Sequence, residues 1–466
     1  MYSKLDLTYK KIVPPQIVRP EVKPVVPKEI FEKRLENVVS KMNEAGMDAL
    51  AIYADREHYG SFKYFTNCDP RFEEALLVIH KDGRAYVALG NECAAIADVS
   101  AIDVTGVSCQ MFSLPNQPMD MFVSLEKSLR DCGIVEGMRI GLVDWKLLRT
   151  PDGEYLKDKT FMPHYLVEEI ANIVGSRDLL SSATGMLIAP DKGMRIKAEA
   201  AAIAEYEFGA TLASESVIEM LKAVEPGMSE MQMAKKAVFD GQVLNVHTYS
   251  PSGENLKRGL ISPTNRVMQK GDPMIASFGL EGGLTCRSVI LAEGPQDMSV
   301  DGEYYMEEIV KPYIAAVYNW YEMIGIGVCC GDMFDMISEC LPADKYGWKL
   351  NPGHMTAYEE WSCSPFFKGS KTVIESGMMF QMDIIPSDPN YPTPNDEDGL
   401  VIADEDLRRE IEENYPDVYD RFMARRKFVE EQIGIKLKPE VLPMSNCFAI
   451  FNPFVLNRDM SIAVKE

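Results

Sequence analysis

Residues 174–192 collect Gly175, Ser176, Ser181, Ser182, Gly185 and Pro190, with Gly193 just beyond, between two stretches that carry regular apolar patterns. That is the composition of a linker, because glycine, serine and proline neither fill a core nor readily continue a helix or strand. It divides the 466-residue chain near residue 185 into two pieces, 1–185 and 186–466. Each is long enough to bury a core of its own.

The first piece opens on a helix. Ile30, Phe31, Leu35, Val38, Val39 and Met42 share one helical face over residues 28–46, and Gly46 supplies a C-cap. Short β-like runs follow at Ala49–Tyr53, Ala75–Ile79 and Ala85–Leu89, the last two joined by an Asp82-Gly83 turn, with a later strand at Arg139–Trp145. The expectation is an α/β domain around a central sheet. In the second piece an Ala- and Glu-rich helix runs from Ile196 to Leu221 and closes at Pro226-Gly227, after which Ser229 and Gln232 form a capping box for the next helix. Apolar strands at Met274–Phe278, Leu284–Ala292, Met378–Ile385 and Leu400–Ala403 come after these helices, which predicts an α+β domain. The charged stretch from Asp404 to Lys436 keeps Leu407, Ile411, Tyr415, Val418, Phe422 and Val429 near helical spacing and reads as a solvated helical face.

A formal net charge of −23, from 71 acidic against 48 basic residues, repels phosphate backbones and anionic headgroups, so neither nucleic acid nor membrane is an expected partner. Nothing reaches the roughly 20 apolar residues of a transmembrane helix, and Met1 to Pro20 lacks the apolar run of a secretory signal. The ten cysteines include no CxxC pair, and adjacent Cys329 and Cys330 are badly placed for a structural disulfide. Reduced thiols and a cytoplasmic location are expected.

Five blocks, read in order, carry a resemblance. YFTNCDPRFEEALLVIHKDGRAYVALGNE, the stretch from Met194 to Glu230, PTNRVMQKGD, NPGHMTAYEEW and ESGMMFQMDIIP are similar in order and spacing to the creatinase, prolidase and aminopeptidase P superfamily. The resemblance covers nearly the whole chain after residue 28 and implies a pita-bread C-terminal domain behind the α/β N-terminal one. In the peptidase members two aspartates, a histidine and two glutamates hold two divalent cations that activate water. Counted from Gly271-Asp272, the aspartate positions fall on Ser277 and Ser288, the histidine on His354, and the glutamates on Asp383 and Glu397. With two formal charges lost, the resemblance implies no tightly bound cation pair. The cofactor expectation is none, with a single divalent ion at His354, Asp383 and Glu397 as the alternative. Two further histidines of the family correspond to Leu260 and Trp361, neither of which carries a proton. Creatinase keeps this fold without metal and hydrolyses a small guanidino compound, but Leu260 stands at its catalytic histidine and Ile290 at its strand glutamate.

His354, Asp383 and Glu397 are therefore the catalytic candidates. His354 follows Gly353, Asp383 lies in the apolar run MMFQMDIIP where an unpaired carboxylate is costly, and Glu397 sits in what reads as an acidic turn, Asp396-Glu397-Asp398-Gly399. Ser277, Ser288, Tyr358 and Trp361 are candidates for lining a substrate pocket. Strand alternation points Arg287 away from Ser288; a local bulge would re-aim it as a bidentate clamp for a substrate carboxylate, and a salt bridge is the plainer reading. Cys286 shares the Ser288 face and reads as a buried, inert thiol more readily than as a nucleophile, while His247 is a minor candidate for supplying the missing acid or base from a displaced position. The expected function is metal-independent hydrolysis of a C–N or related bond in a small polar metabolite. The alternatives are an Xaa-Pro peptidase with a reduced metal site and a catalytically silent binding protein. The resemblance also implies a homodimer, with Arg71 in DPRFEE reaching across to the partner.

Overall fold

The computed structural model describes residues 1–116, 122–150, 154–156 and 159–465. They form two units, one of residues 26–196 and one that joins residues 1–25 to 197–466.

In the N-terminal unit the helix Lys28–Glu44 buries Phe31, Val38 and Met42. Arg34 is buried beside them, its Nη1 donating to the Tyr64 carbonyl at 3.0 Å and its guanidinium lying 4.2 Å from the Tyr64 ring centre. Ala49–Ala54 and Ala75–His80 are buried at every position, as central strands covered on both faces must be. They sit at the middle of a six-stranded mixed sheet. The Gly- and Ser-rich segment that reads as a linker is folded into this sheet. Gly175 ends the helix His164–Val174 in the left-handed region (φ +94°), Leu180–Ser182 pairs with Ile140–Val143 as an edge strand, and Thr184–Ile188 is helical. An edge strand with one pairing partner tolerates serines that a central strand would not. The units consequently meet between residues 196 and 197, not near 185.

The C-terminal unit is built on a 24-residue helix, Ala200–Ala223, buried over most of its surface. It packs on the hairpin Pro273–Leu280 and Gly283–Ile290 closely enough that a Cβ at Gly209 would sit 1.9 Å from the Glu281 carbonyl oxygen. The hairpin belongs to a second six-stranded sheet, antiparallel throughout, which continues through Asn395–Ile402 and Met379–Met382 to His354–Met355; Val441–Pro443 pairs with the far half of Asn395–Ile402. The first strand of the chain, Leu7–Lys11, pairs with the last, Met460–Val464, so the N-terminal residues fold with the C-terminal unit. The charged stretch forms two helices broken at Tyr415-Pro416, Glu405–Asn414 and Pro416–Phe428. Arg421 and Arg425 of the second pair with the fully buried Glu207 of the long helix. Among the described residues no helix is long and apolar enough to cross a membrane, and all ten cysteines are free.

Candidate active site

Asn395–Ile402 is buried at all eight positions. The acidic turn expected at residues 396–399 is therefore mid-strand. Three consecutive carboxylates are tolerated there because alternation sends Glu397 to one face and Asp396 and Asp398 to the other, where both pair with Arg287. Cross-strand pairing sets Asn395 against Ser288, Asp396 against Arg287 and Glu397 against Cys286, while Ser277 faces Cys286 from the other side. One face of the sheet thus carries Ser277, Cys286, Ser288, Asn395 and Glu397; the other carries Arg287, Asp396 and Asp398.

On the first face, His354 is fully buried in the short edge strand, hydrogen-bonded in register with Gln381. Gly353 before it has φ +108°, and a Cβ there would lie 2.9 Å from the Gln381 carbonyl oxygen, so glycine is what lets the histidine strand come this close. The imidazole Nε2 is 3.0 Å from Glu360 Oε1 and 3.7 Å from Glu397 Oε1, yet it makes no well-aligned hydrogen bond. Trp361 stacks on the ring at 4.0 Å between centres and 18° between planes. Asp383 is buried and accepts from Asn395 Nδ2 at 3.3 Å. Burial alone would depress the His354 pKa, but Glu360, and after it Glu397 and Asp383, hold it well above the usual imidazole value. Burial pushes the Asp383 carboxyl up to about 6 against the pull of His354. Burial, and next Asp383, raises Glu397 well above the ordinary carboxylate range.

Comparison with protein-family models finds no match for the sequence, and comparison with curated proteins finds none either. Solved structures do resemble it. An Xaa-Pro dipeptidase from Bacillus anthracis matches at TM-score 0.59 and 16% identity over 80% of this chain and 96% of that one. A prolidase from Pyrococcus horikoshii matches at TM-score 0.60 and 15% identity over 80% and 95%. An aminopeptidase P from Escherichia coli matches at TM-score 0.56 and 13% identity over 81% and 93%. This chain has the pita-bread fold. At such identities the likeness carries the architecture; chemistry has to be argued from the site.

Within the pita-bread sheet, the three catalytic candidates lie together: His354 and Glu397 directly, with Asp383 facing both through its charge. Ser277 and Ser288 are on the same face, but each hydroxyl is committed as a donor, to the Tyr249 carbonyl at 2.5 Å and to the Thr393 carbonyl at 2.7 Å. Tyr358 is buried and packs edge-on against Tyr206, whereas Trp361 is 39% exposed and forms a wall over His354. Cys286 is buried among Tyr249 and Leu284, with its thiol pushed well up by burial. His247 is exposed and lies 2.8 Å from the Leu260 carbonyl, beside the position where the resemblance expects a histidine. Arg71 belongs to the N-terminal unit, where its Nε donates to the Arg56 carbonyl at 2.9 Å.

The carboxylate clamp suggested for Arg287 does not form. No bulge re-aims the strand, and the guanidinium lies on the face opposite His354, 2.9 Å from Asp396 and 2.7 Å from Asp398. Its remaining hydrogens go to the carbonyls of Cys286, Glu397, Cys447 and Ile450. Conversely, sequence reasoning missed Glu360. It lies six residues beyond His354 in NPGHMTAYEEW and is returned to the histidine by the tight turn at Ala357–Glu359, whose geometry has no periodic signature.

The peptidases that the sequence resembles hold two cations at these positions, and the residues here do not fit two. The positions that would supply two aspartates hold neutral hydroxyls already bonded to backbone. Among the described residues, one atom each from His354, Glu360 and Glu397 lie within 4.8 Å of one another.

Proposed function

We propose that this chain is a hydrolase that cleaves a C–N or related bond of a small polar metabolite without a two-cation centre, as creatinase does on the same fold. The observation that supports it most is a buried imidazole whose Nε2 faces two glutamates, on a sheet face that also carries Asp383. In the reaction, the His354 imidazolium gives its Nε2 proton to the leaving nitrogen as the C–N bond breaks, and takes back the proton released by the water whose oxygen adds to the substrate carbon. Glu360 and Glu397 stabilise the imidazolium from which the cycle starts and to which it returns, Asp383 orients the substrate or the water, and Trp361 holds the ring in place.

Against a panel of ureido, amidino and amide metabolites, His354→Ala is expected to abolish turnover while circular dichroism stays unchanged. Turnover at the wild-type rate in this variant rejects the role. The ten free thiols support a reducing, cytoplasmic setting, to be tested by fractionation. The homodimer with Arg71 reaching across belongs to the same proposal, and a monomer in sedimentation rejects that part.

A further inference from the structure

We infer that Asn395 is a specificity-determining residue of the proposed hydrolysis. Its side-chain oxygen, together with Asp383, takes the two hydrogens of an unsubstituted –NH2 group, as carried by a carboxamide, ureido or amidino substrate.

Asn395 opens the strand Asn395–Ile402 opposite Ser288 and is 5% exposed, on the sheet face that also carries Glu397. Its Nδ2 donates to Asp383 Oδ1 at 3.3 Å and is the one hydrogen-bond donor to Asp383 among the described residues. That bond fixes which way round the amide lies, because turning it over would set its oxygen against an ionised carboxylate, which only accepts. The amide oxygen is thereby left buried, and among the described residues nothing donates to it.

Four donors that share this face are spent elsewhere. The Ser277 and Ser288 hydroxyls and Gln381 Nε2 donate to the carbonyls of Tyr249, Thr393 and Leu284. His354 turns Nδ1 to the Met355 carbonyl and Nε2 to Glu360. A buried carbonyl oxygen without a donor is costly, so the arrangement is completed by a group that brings its own hydrogens. An –NH2 nitrogen brings two, one for Asn395 Oδ1 and one for the Asp383 carboxylate held beside it by the 3.3 Å bond. A dialkylated nitrogen brings none and sets a methyl group against the orphaned oxygen. Sites that hydrogen-bond a substrate N–H reject an analogue lacking it far more strongly than an apolar pocket rejects the loss of a methylene.

Calling the –NH2 group part of a substrate rests on the proposed hydrolysis, but the test reads binding and not turnover, so the two fail separately. Acetamide, N-methylacetamide and N,N-dimethylacetamide are titrated into the full-length chain and followed by saturation-transfer NMR, with Asn395→Ala alongside. Wild type is expected to bind acetamide about ten-fold or more tightly than the dimethyl compound, the ratio set by one unmatched buried hydrogen bond, with the monomethyl compound between them. In Asn395→Ala the ratio should fall toward one; a purely structural role would weaken all three probes alike. Equal binding of the probes by wild type, as when a resident water satisfies Oδ1, would overturn the inference. So would no binding of acetamide at about 10 mM, or a ratio kept in Asn395→Ala. If that variant does not fold, the wild-type ratio decides alone. Probe discrimination without turnover of any panel metabolite would reject the hydrolysis and leave the –NH2 site standing.

Discussion

Replacing Arg287 with methionine removes the cation that lies against Asp396 and Asp398 on the face behind the candidate site. The guanidinium is 2% exposed and the two aspartates are fully buried. The substitution therefore leaves two carboxylates in a dry environment, together with four backbone carbonyls that lose a donor. Breaking a buried ion pair from one side costs about 3–5 kcal/mol, because the surviving charge is left without compensation. For a domain of this size that lowers the melting midpoint by on the order of 10 °C. Arg287→Lys keeps the charge but loses the planar fork that reaches both aspartates and the carbonyls, so it should recover only part of the difference. Differential scanning calorimetry at neutral pH on the three proteins reads the effect. A methionine variant that melts within about 2 °C of wild type would refute the structural role. An unchanged midpoint together with a raised KM would restore Arg287 as a substrate clamp.

Burial alone would raise the Glu207 carboxyl, but the Arg425 and Arg421 guanidiniums hold it below the ordinary range. A depressed folded-state pKa contributes stability that is complete above the unfolded value of about 4.3 and is lost as pH falls through the folded value. Glu207→Gln should therefore lower stability at neutral pH and show a smaller further loss on acidification; equal pH slopes in urea denaturation would contradict the pairing. Gly209→Ala should destabilise the protein although alanine favours helix by about 0.5–1 kcal/mol, because its Cβ would meet the Glu281 carbonyl oxygen at 1.9 Å. Overpacking of this kind costs about 1–3 kcal/mol, so a raised urea midpoint would show that the helix and hairpin can separate freely.

The architecture was legible in the sequence where periodicity and punctuation agree. The helix Lys28–Glu44, the capping box at Ser229 and Gln232 and the hairpin strands all follow from residues that act locally. Legibility ended where distant partners decide. Asp396, Glu397 and Asp398 read as an acidic turn because nothing nearby in sequence shows that Arg287 waits behind them, and only the resemblance set Glu397 with His354. The serine-rich edge strand Leu180–Ser182 looked like a linker because its pairing with Ile140–Val143 spans forty residues. Alternation did anticipate the direction of Arg287, and the clamp needed a bulge that the strand does not contain. Glu360 escaped because a turn, not a repeat, brings it to the imidazole.

The most direct test of the central claim is turnover by the chelator-treated chain, measured side by side on small C–N metabolites and on an Xaa-Pro dipeptide with and without added manganese. The account predicts hydrolysis of a small metabolite that persists in chelator, and no release from the dipeptide under either condition. Dipeptide cleavage that requires manganese, with no metabolite turned over in chelator, would contradict it.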